Sequence, residues 1–203
     1  DLALSVNSAL TEFSLPQASE ELVLTWIGNG APVLIARALD WACAQSGREL
    51  TVSEIEKVKA RFNFYYGENL CNISHLYPNV KETLENLKEK GYTLAVVTNK
   101  PTRHVQPVLS AFSIDHLFSE MLGGQSLPAI KPHPGPLYYL CGKFGVEPRQ
   151  ILFVGDSKND ILAAHAAGCP AVGLTYGYNY NMPISDSNPD WVFDDFSQLL
   201  TIL

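Results

Sequence analysis

The stretch Ile151-Leu152-Phe153-Val154-Gly155-Asp156-Ser157-Lys158-Asn159-Asp160 decides the fold. Its four leading apolar residues read as a short strand covered on both faces. The polar residues after Gly155 open a helix that continues into Ile161-Leu162-Ala163-Ala164. In open α/β sheets ligands gather beyond the carboxyl ends of the strands, so these polar residues are the first candidates for chemistry. Asp156 stands at the strand's end. Asp160 lies one helical turn further on, along the same face. Two carboxylates there, with Lys158 the one basic neighbour in sequence, suit a hard divalent cation such as Mg²⁺. The competing reading is that Asp156 or Ser157 caps the helix.

Working outward, the alternation continues. Ala171-Val172-Gly173-Leu174 is another strand and Trp191-Val192-Phe193 a shorter one. Upstream, Asn79 to Lys90 is an amphipathic helix closed by Gly91. Tyr92-Thr93-Leu94-Ala95-Val96-Val97-Thr98 is a continuous apolar strand. A helix from about Arg103 to Phe112, a strand over Phe118–Leu122 and a helix from Pro136 to Phe144 follow. Strands alternating with helices predict right-handed crossovers and a doubly wound parallel sheet, an α/β fold.

Two further strand-end features bear on function. Thr98-Asn99-Lys100-Pro101 places a hydroxyl and backbone N–H groups at a strand's carboxyl end, a geometry that can hold phosphate oxygens. By itself it is also an ordinary polar strand end. Lys131 lies in Ala129-Ile130-Lys131-Pro132-His133-Pro134-Gly135-Pro136, a loop stiffened by its prolines. Such a loop can aim the lysine as a point charge at phosphate; a solvated surface lysine is the alternative. His133 adjoins this loop, and His165 reads as structural.

Before Tyr77 the pattern is helical throughout. Pro32–Leu39 carries apolar residues at helical spacing. Ser53 reads as an N-cap with Glu56 as its capping-box partner, opening a helix that runs through Phe62 and Tyr66. Gly28-Asn29-Gly30 breaks the pattern between two helices. Residues 1–76 therefore read as a small helical bundle and residues 77–203 as the α/β unit.

Composition limits the partners. Apolar residues make up 46% of 203 and charged residues 17%, which excludes a disordered or collagen-like chain. No apolar run approaches the roughly 18 residues that span a bilayer. Fourteen basic against 21 acidic residues give −7, with no Lys/Arg cluster, which argues against nucleic acid or an anionic membrane as partner. Cys43, Cys71, Cys141 and Cys169 form no Cys-x-x-Cys pair, so zinc is not expected. They read as buried thiols in a reducing, cytoplasmic setting. The start, Asp1-Leu2-Ala3-Leu4-Ser5, has no basic leader and no initiator Met, and is not expected to be the translated start.

In this order, the pieces resemble the haloacid dehalogenase superfamily of phosphatases. The strand Leu94–Thr98 matches its second motif and Lys131 its third. Gly155-Asp156-Ser157-Lys158-Asn159-Asp160, followed by Ala163-Ala164-His165-Ala166-Ala167-Gly168, matches its fourth. Within the superfamily the chain is most similar to the phosphoglycolate phosphatases. The stretches that carry this are Trp26-Ile27-Gly28-Asn29-Gly30-Ala31, Thr98–Pro101, Lys131–Pro134 and Gly173-Leu174-Thr175-Tyr176-Gly177-Tyr178-Asn179-Tyr180. The resemblance covers nearly the whole chain. It implies a parallel-sheet core with an inserted helical cap, and Mg²⁺-dependent hydrolysis of a small phosphorylated metabolite by a monomer or homodimer. It further implies Asp156 and Asp160 at the metal, Thr98, Asn99 and Lys131 at the phosphate, and Lys131 and Thr98 in catalysis. A pyrophosphatase or phosphosugar mutase of the same family, or a non-catalytic phosphate- or metal-binding domain, stays open. The family's first motif, an Asp-x-Asp whose first Asp becomes phosphorylated, follows no strand here. The functional protein is expected to carry it, with its strand, ahead of Asp1.

Overall fold

In the computed structural model, which describes residues 1–203, the chain divides into two units, Asp1–Ser74 and His75–Leu203. The first is helical: α1 (Leu2–Glu12), α2 (Glu20–Leu24), α3 (Ala31–Ser46) and α4 (Val52–Glu68). Each long helix buries one stripe at helical spacing. These are Val6, Ala9 and Leu10 on α1, Leu34, Ile35, Ala38 and Ala42 on α3, and Val58, Phe62 and Tyr66 on α4. Phe62 stacks on Tyr66 with ring centroids 5.8 Å apart.

The cap of α4 differs from the sequence reading. Thr51, not Ser53, is the N-cap. Its Oγ1 accepts from the Glu54 N–H at 3.3 Å, and Glu54 Oε2 accepts from the Thr51 N–H at 2.9 Å. Thr51-x-x-Glu54 and Ser53-x-x-Glu56 are overlapping forms of one signal. Arg48 favours the earlier, since its guanidinium donates to Glu54 Oε1 at 2.9 Å. The short α2, which the periodicity does not reveal, is set by Ser19, whose hydroxyl accepts from the Leu22 N–H at 3.2 Å.

The second unit alternates strands and helices: α5 (Val80–Glu89), β1 (Leu94–Val97), α6 (Val105–Ala111), β2 (Phe118–Leu122), α7 (Gly135–Phe144), β3 (Phe153–Gly155), α8 (Lys158–Ala167), β4 (Ala171–Leu174) and β5 (Trp191–Phe193). Every strand pair is parallel. β1 pairs with β2, and β3, β4 and β5 form a second ladder with Phe153 opposite Ala171 and Val172 opposite Trp191. β1 and β3 share no ladder. β3 starts two residues later than its apolar run, because the Ile151 N–H closes the preceding turn on the Pro148 carbonyl at 3.0 Å. The helix expected from Arg103 opens instead as a tight 3-10 turn over Thr102–His104 before α6. Lys90 rather than Gly91 ends α5.

Leu137 of α7, Ile161, Ala163 and Ala164 of α8, and Ala171 of β4 form the centre of one apolar cluster. Val172, Leu174 and Leu199 anchor another. The small alanines let α8 lie close on the sheet. Of the four free cysteines only Cys169 is buried; the other three are half-exposed, because they fall on helix flanks or a loop. Burial pushes the Cys169 thiol up to about 11. No helix is long and apolar enough to cross a membrane.

Candidate active site

The polar residues beyond β1 and β3 converge on Lys131. Its ammonium donates to the Val97 carbonyl, at the end of β1, at 2.7 Å. It also donates to Asp160 Oδ1, in the first turn of α8, at 2.6 Å. The side chains of this ion pair are 12% and 6% exposed, so water screens it little. An ammonium has three protons, and these two bonds account for two of them.

Asn99 fixes the lysine's backbone. Its amide donates to the Lys131 carbonyl at 2.9 Å and accepts from the Lys131 N–H at 3.1 Å. This paired bond copies a sheet rung, which a lone turn residue beyond a strand could not be expected to show in sequence. The Asn99 side chain is therefore committed to Lys131. Thr98 Oγ1 accepts from the Lys100 N–H at 3.1 Å, which closes the turn beyond β1. Thr98 is placed beside this cluster by Val97 and touches neither carboxylate through any of its hydrogen bonds.

Asp160 is more constrained than a metal ligand read from sequence would be. Its Oδ2 accepts from the Ser157 N–H at 3.0 Å while its Oδ1 holds Lys131. Ser157 is the N-cap of α8, and Asp160 completes its capping box. Capping thus belongs to Ser157 and Asp160, not to Asp156. Gly155 has to be glycine, because a Cβ there would overlap the Asp160 carboxylate.

Asp156 lies beyond β3, half-buried. Burial pushes its carboxyl above the usual range. The Tyr178 N–H opposes this, the neighbouring Asp160 adds to it, and Lys131 draws it back. A carboxylate made costly by burial and by a second carboxylate is one that a cation would stabilise. Asp156 thus fits one position in the shell of a hard cation. Asp160, with both oxygens engaged, fits a supporting place behind Lys131. No group of three His, Cys, Asp or Glu side chains converges on a metal-sized site anywhere in residues 1–203, around Asp156 included, so Asp156 supplies one ligand and not a complete shell. His133 is exposed and turns its Nδ1 to its own loop, accepting from the Gly135 N–H at 2.9 Å. His165 is exposed on α8.

The segment after β4, which the residue-level reading assigned no role, folds over Asp156. The Tyr178 N–H donates to Asp156 Oδ2 at 2.7 Å. The unusual density of Gly, Tyr and Asn in Gly177-Tyr178-Asn179-Tyr180 was its sequence signal.

Parallel strands with a hydroxyl beyond β1 and an acidic pair beyond β3, brought together by a nearly buried loop lysine, define a doubly wound α/β protein with its polar site at the carboxyl ends of the strands. The chain belongs to the haloacid dehalogenase-like hydrolases, whose family pattern matches residues 2–174. It is 84% identical over 203 residues to a phosphoglycolate phosphatase of Haemophilus influenzae (strain 86-028NP), covering all of this chain and 91% of that one. Identity to a phosphoglycolate phosphatase of Mannheimia succiniciproducens is 78% at the same coverage. A crystal structure described as a predicted phosphoglycolate phosphatase from Haemophilus somnus 129pt superposes with a TM-score of 0.98 at 74% identity, over all of this chain and 90% of that one. The fold recurs at 23% identity in a Lactobacillus delbrueckii protein, with a TM-score of 0.84.

Proposed function

We propose that residues 1–203 supply the phosphate and metal contacts of a Mg²⁺-dependent hydrolase of small phosphomonoesters, and that 2-phosphoglycolate is its substrate. The observation that carries the substrate is the 84% identity, over all 203 residues, to a protein named for that activity. The geometry around Lys131 supports the chemistry. Its third N–H is left for a phosphate oxygen, and its charge stabilises the negative charge that builds in phosphoryl transfer. Thr98 keeps its hydroxyl proton to donate to a second oxygen, and the Asn99 backbone lies beside it. Asp156 would hold the cation. Bound there, the cation would offset phosphate charge and orient the group for attack. Asp160 positions Lys131 and the first turn of α8.

In this reading the phosphoryl group passes through an aspartyl-phosphate. A carboxylate attacks phosphorus, the alcohol leaves, and water cleaves the acyl phosphate. Neither Asp156 nor Asp160 is that nucleophile. It is the carboxylate of the family's first motif, an Asp-x-Asp that no strand end among residues 1–203 displays. We assign to the helical unit the role of cap, reading the non-phosphate end of the substrate, and to the protein a place in the cytoplasm.

The test, on protein that carries the first-motif Asp-x-Asp together with these residues, is phosphate release from 2-phosphoglycolate with Mg²⁺ and with EDTA, beside pyrophosphate and a sugar 1-phosphate. Release confined to phosphoglycolate and lost in EDTA is expected. Asp156→Asn is expected to lower turnover by about 100-fold or more at fixed Mg²⁺. Near-normal turnover in that variant would remove Asp156 from the metal site. A hydroxylamine-sensitive phosphoryl adduct is expected on rapid quenching, and its absence under single-turnover conditions would argue against the covalent route.

A further inference from the structure

Three consecutive residues at the end of β1 hold Lys131 at both of its ends. The Val97 carbonyl accepts from its ammonium at 2.7 Å. Two residues on, the Asn99 amide donates to the Lys131 carbonyl at 2.9 Å and accepts from the Lys131 N–H at 3.1 Å. Thr98 lies between them. Lys131 itself belongs to no helix or strand. Pro132, Pro134 and Pro136 beside it have no N–H with which to build a ladder of their own. The backbone of Lys131 is thus anchored by a side chain. A primary amide presents a donor and an acceptor side by side, as a peptide does, and only Asn and Gln carry one. Asn99 is 9% exposed. Its own backbone is held closely, since a Cβ on Gly124 would overlap the Asn99 carbonyl and the Gly124 N–H donates to the Lys100 carbonyl at 2.8 Å. The anchor matters because β1 and β3 share no ladder. Asp160 reaches the lysine from α8, which follows β3, whereas Val97 and Asn99 reach it from β1.

We propose that the Asn99 side chain is a positioning residue for phosphoryl transfer. It locks Lys131 to the end of β1, so that the Thr98 hydroxyl and the Lys131 ammonium meet the phosphate at a fixed separation. The inference rests on Thr98 and Lys131 being the phosphate contacts assigned above. The Asn99 side chain acts through Lys131 and not on the substrate. Attraction between an ammonium and a phosphate falls off slowly with distance, whereas the transition state rewards alignment to within a fraction of a bond length. Loss of the amide therefore falls on kcat and spares KM.

The experiment compares wild type, Asn99→Ala, Asn99→Asp, Lys131→Met and the Asn99→Ala/Lys131→Met double variant, each in protein that carries the first-motif Asp-x-Asp. Thermal unfolding serves as the folding control. In phosphoglycolate hydrolysis Asn99→Ala is expected to lower kcat by about 10- to 100-fold and to leave KM within about threefold of wild type. Asn99→Asp keeps the size of the side chain and an acceptor for the Lys131 N–H but loses the donor. It should lower kcat less and still spare KM. In the double variant Asn99→Ala should cost nothing beyond Lys131→Met, because a residue that acts through another has no effect once that one is gone. A merely structural role would lower activity in both backgrounds alike. If Asn99→Ala or Lys131→Met fails to fold, the split between kcat and KM in Asn99→Asp still decides. Losses that multiply in the double variant, a normal kcat, or a KM that rises as far as kcat falls would overturn the positioning role and leave the hydrolase reading intact. A wild-type protein that releases no phosphate from any phosphomonoester would overturn that reading, and this inference with it.

Discussion

Lys131 and Asp160 form a nearly buried ion pair at 2.6 Å, and removing one partner differs sharply from removing both charges. A stranded buried charge costs about 3–5 kcal/mol, whereas a neutral pair of similar shape costs far less. Lys131→Met should therefore destabilise the α/β unit by about 3–5 kcal/mol. Adding Asp160→Asn should recover much of that loss, since asparagine keeps an acceptor for the Ser157 N–H and carries no charge. Urea midpoints of wild type, both singles and the double variant measure this; simple additivity would show that the pair is not coupled. Tyr176 poses the opposite case. Its hydroxyl is buried without a hydrogen-bond partner, while its ring lies 4.4 Å from that of Tyr77. Burial first, then Asp195, Tyr77 and Asp156, push its ionisation up to about 12, so the hydroxyl stays protonated with nothing to receive the proton. Tyr176→Phe keeps the ring and deletes the stranded group. It should leave the melting temperature unchanged or raise it, by an amount within the ~1–3 kcal/mol desolvation range. A clear fall would show that the hydroxyl is satisfied in the folded protein.

At the scale of elements, legibility followed how much of each signal is local. β4 and β5 match their expected spans residue for residue, because an apolar run bounded by turn residues has few competing readings, and β2 matches although Ser119 and Glu120 interrupt its apolar residues. β3 and the approach to α6 shifted, because short 3-10 turns take the first residues of an apolar or helical run and leave no periodic trace. The cap of α4 was misplaced where two capping signals overlap and a third residue, Arg48, selects between them. The same logic governs the site. The positions of Asp156, Lys131 and Thr98 were legible because each stands just beyond a strand's end or in a stiff loop. The commitment of Asn99 to Lys131 was not, because it joins residues 32 apart in the chain. Nor was the engagement of Asp160. Its spacing from Asp156 fits a metal pair, while its spacing from Ser157 fits a capping box, and only the packed structure shows Lys131 taking the other oxygen.

At the scale of the molecule, the two units keep separate apolar interiors. The cluster around Phe62, Val6 and Ile35 draws only on residues before Ser74, and those around Ile161 and Val172 only on residues after it. A chain whose cores are separate need not unfold as one. Phe62 is 1% exposed, and Phe62→Ala should remove about 3–5 kcal/mol of stability from the helical unit. Hydrogen exchange read by mass spectrometry can assign that loss. Amides of α1, α3 and α4 should lose protection by that amount, while those of β3, β4 and α8 should keep theirs. Mg²⁺ should act the other way. A ligand held at Asp156 stabilises the unit that binds it, by about 2.7 kcal/mol at a hundred times its dissociation constant. The added protection should therefore appear in β3, β4 and α8 and not in α1 or α4. If Phe62→Ala instead strips protection equally from both sets of amides, the two cores open as one cooperative body. The stability of the helical unit would then be inseparable from that of the α/β unit.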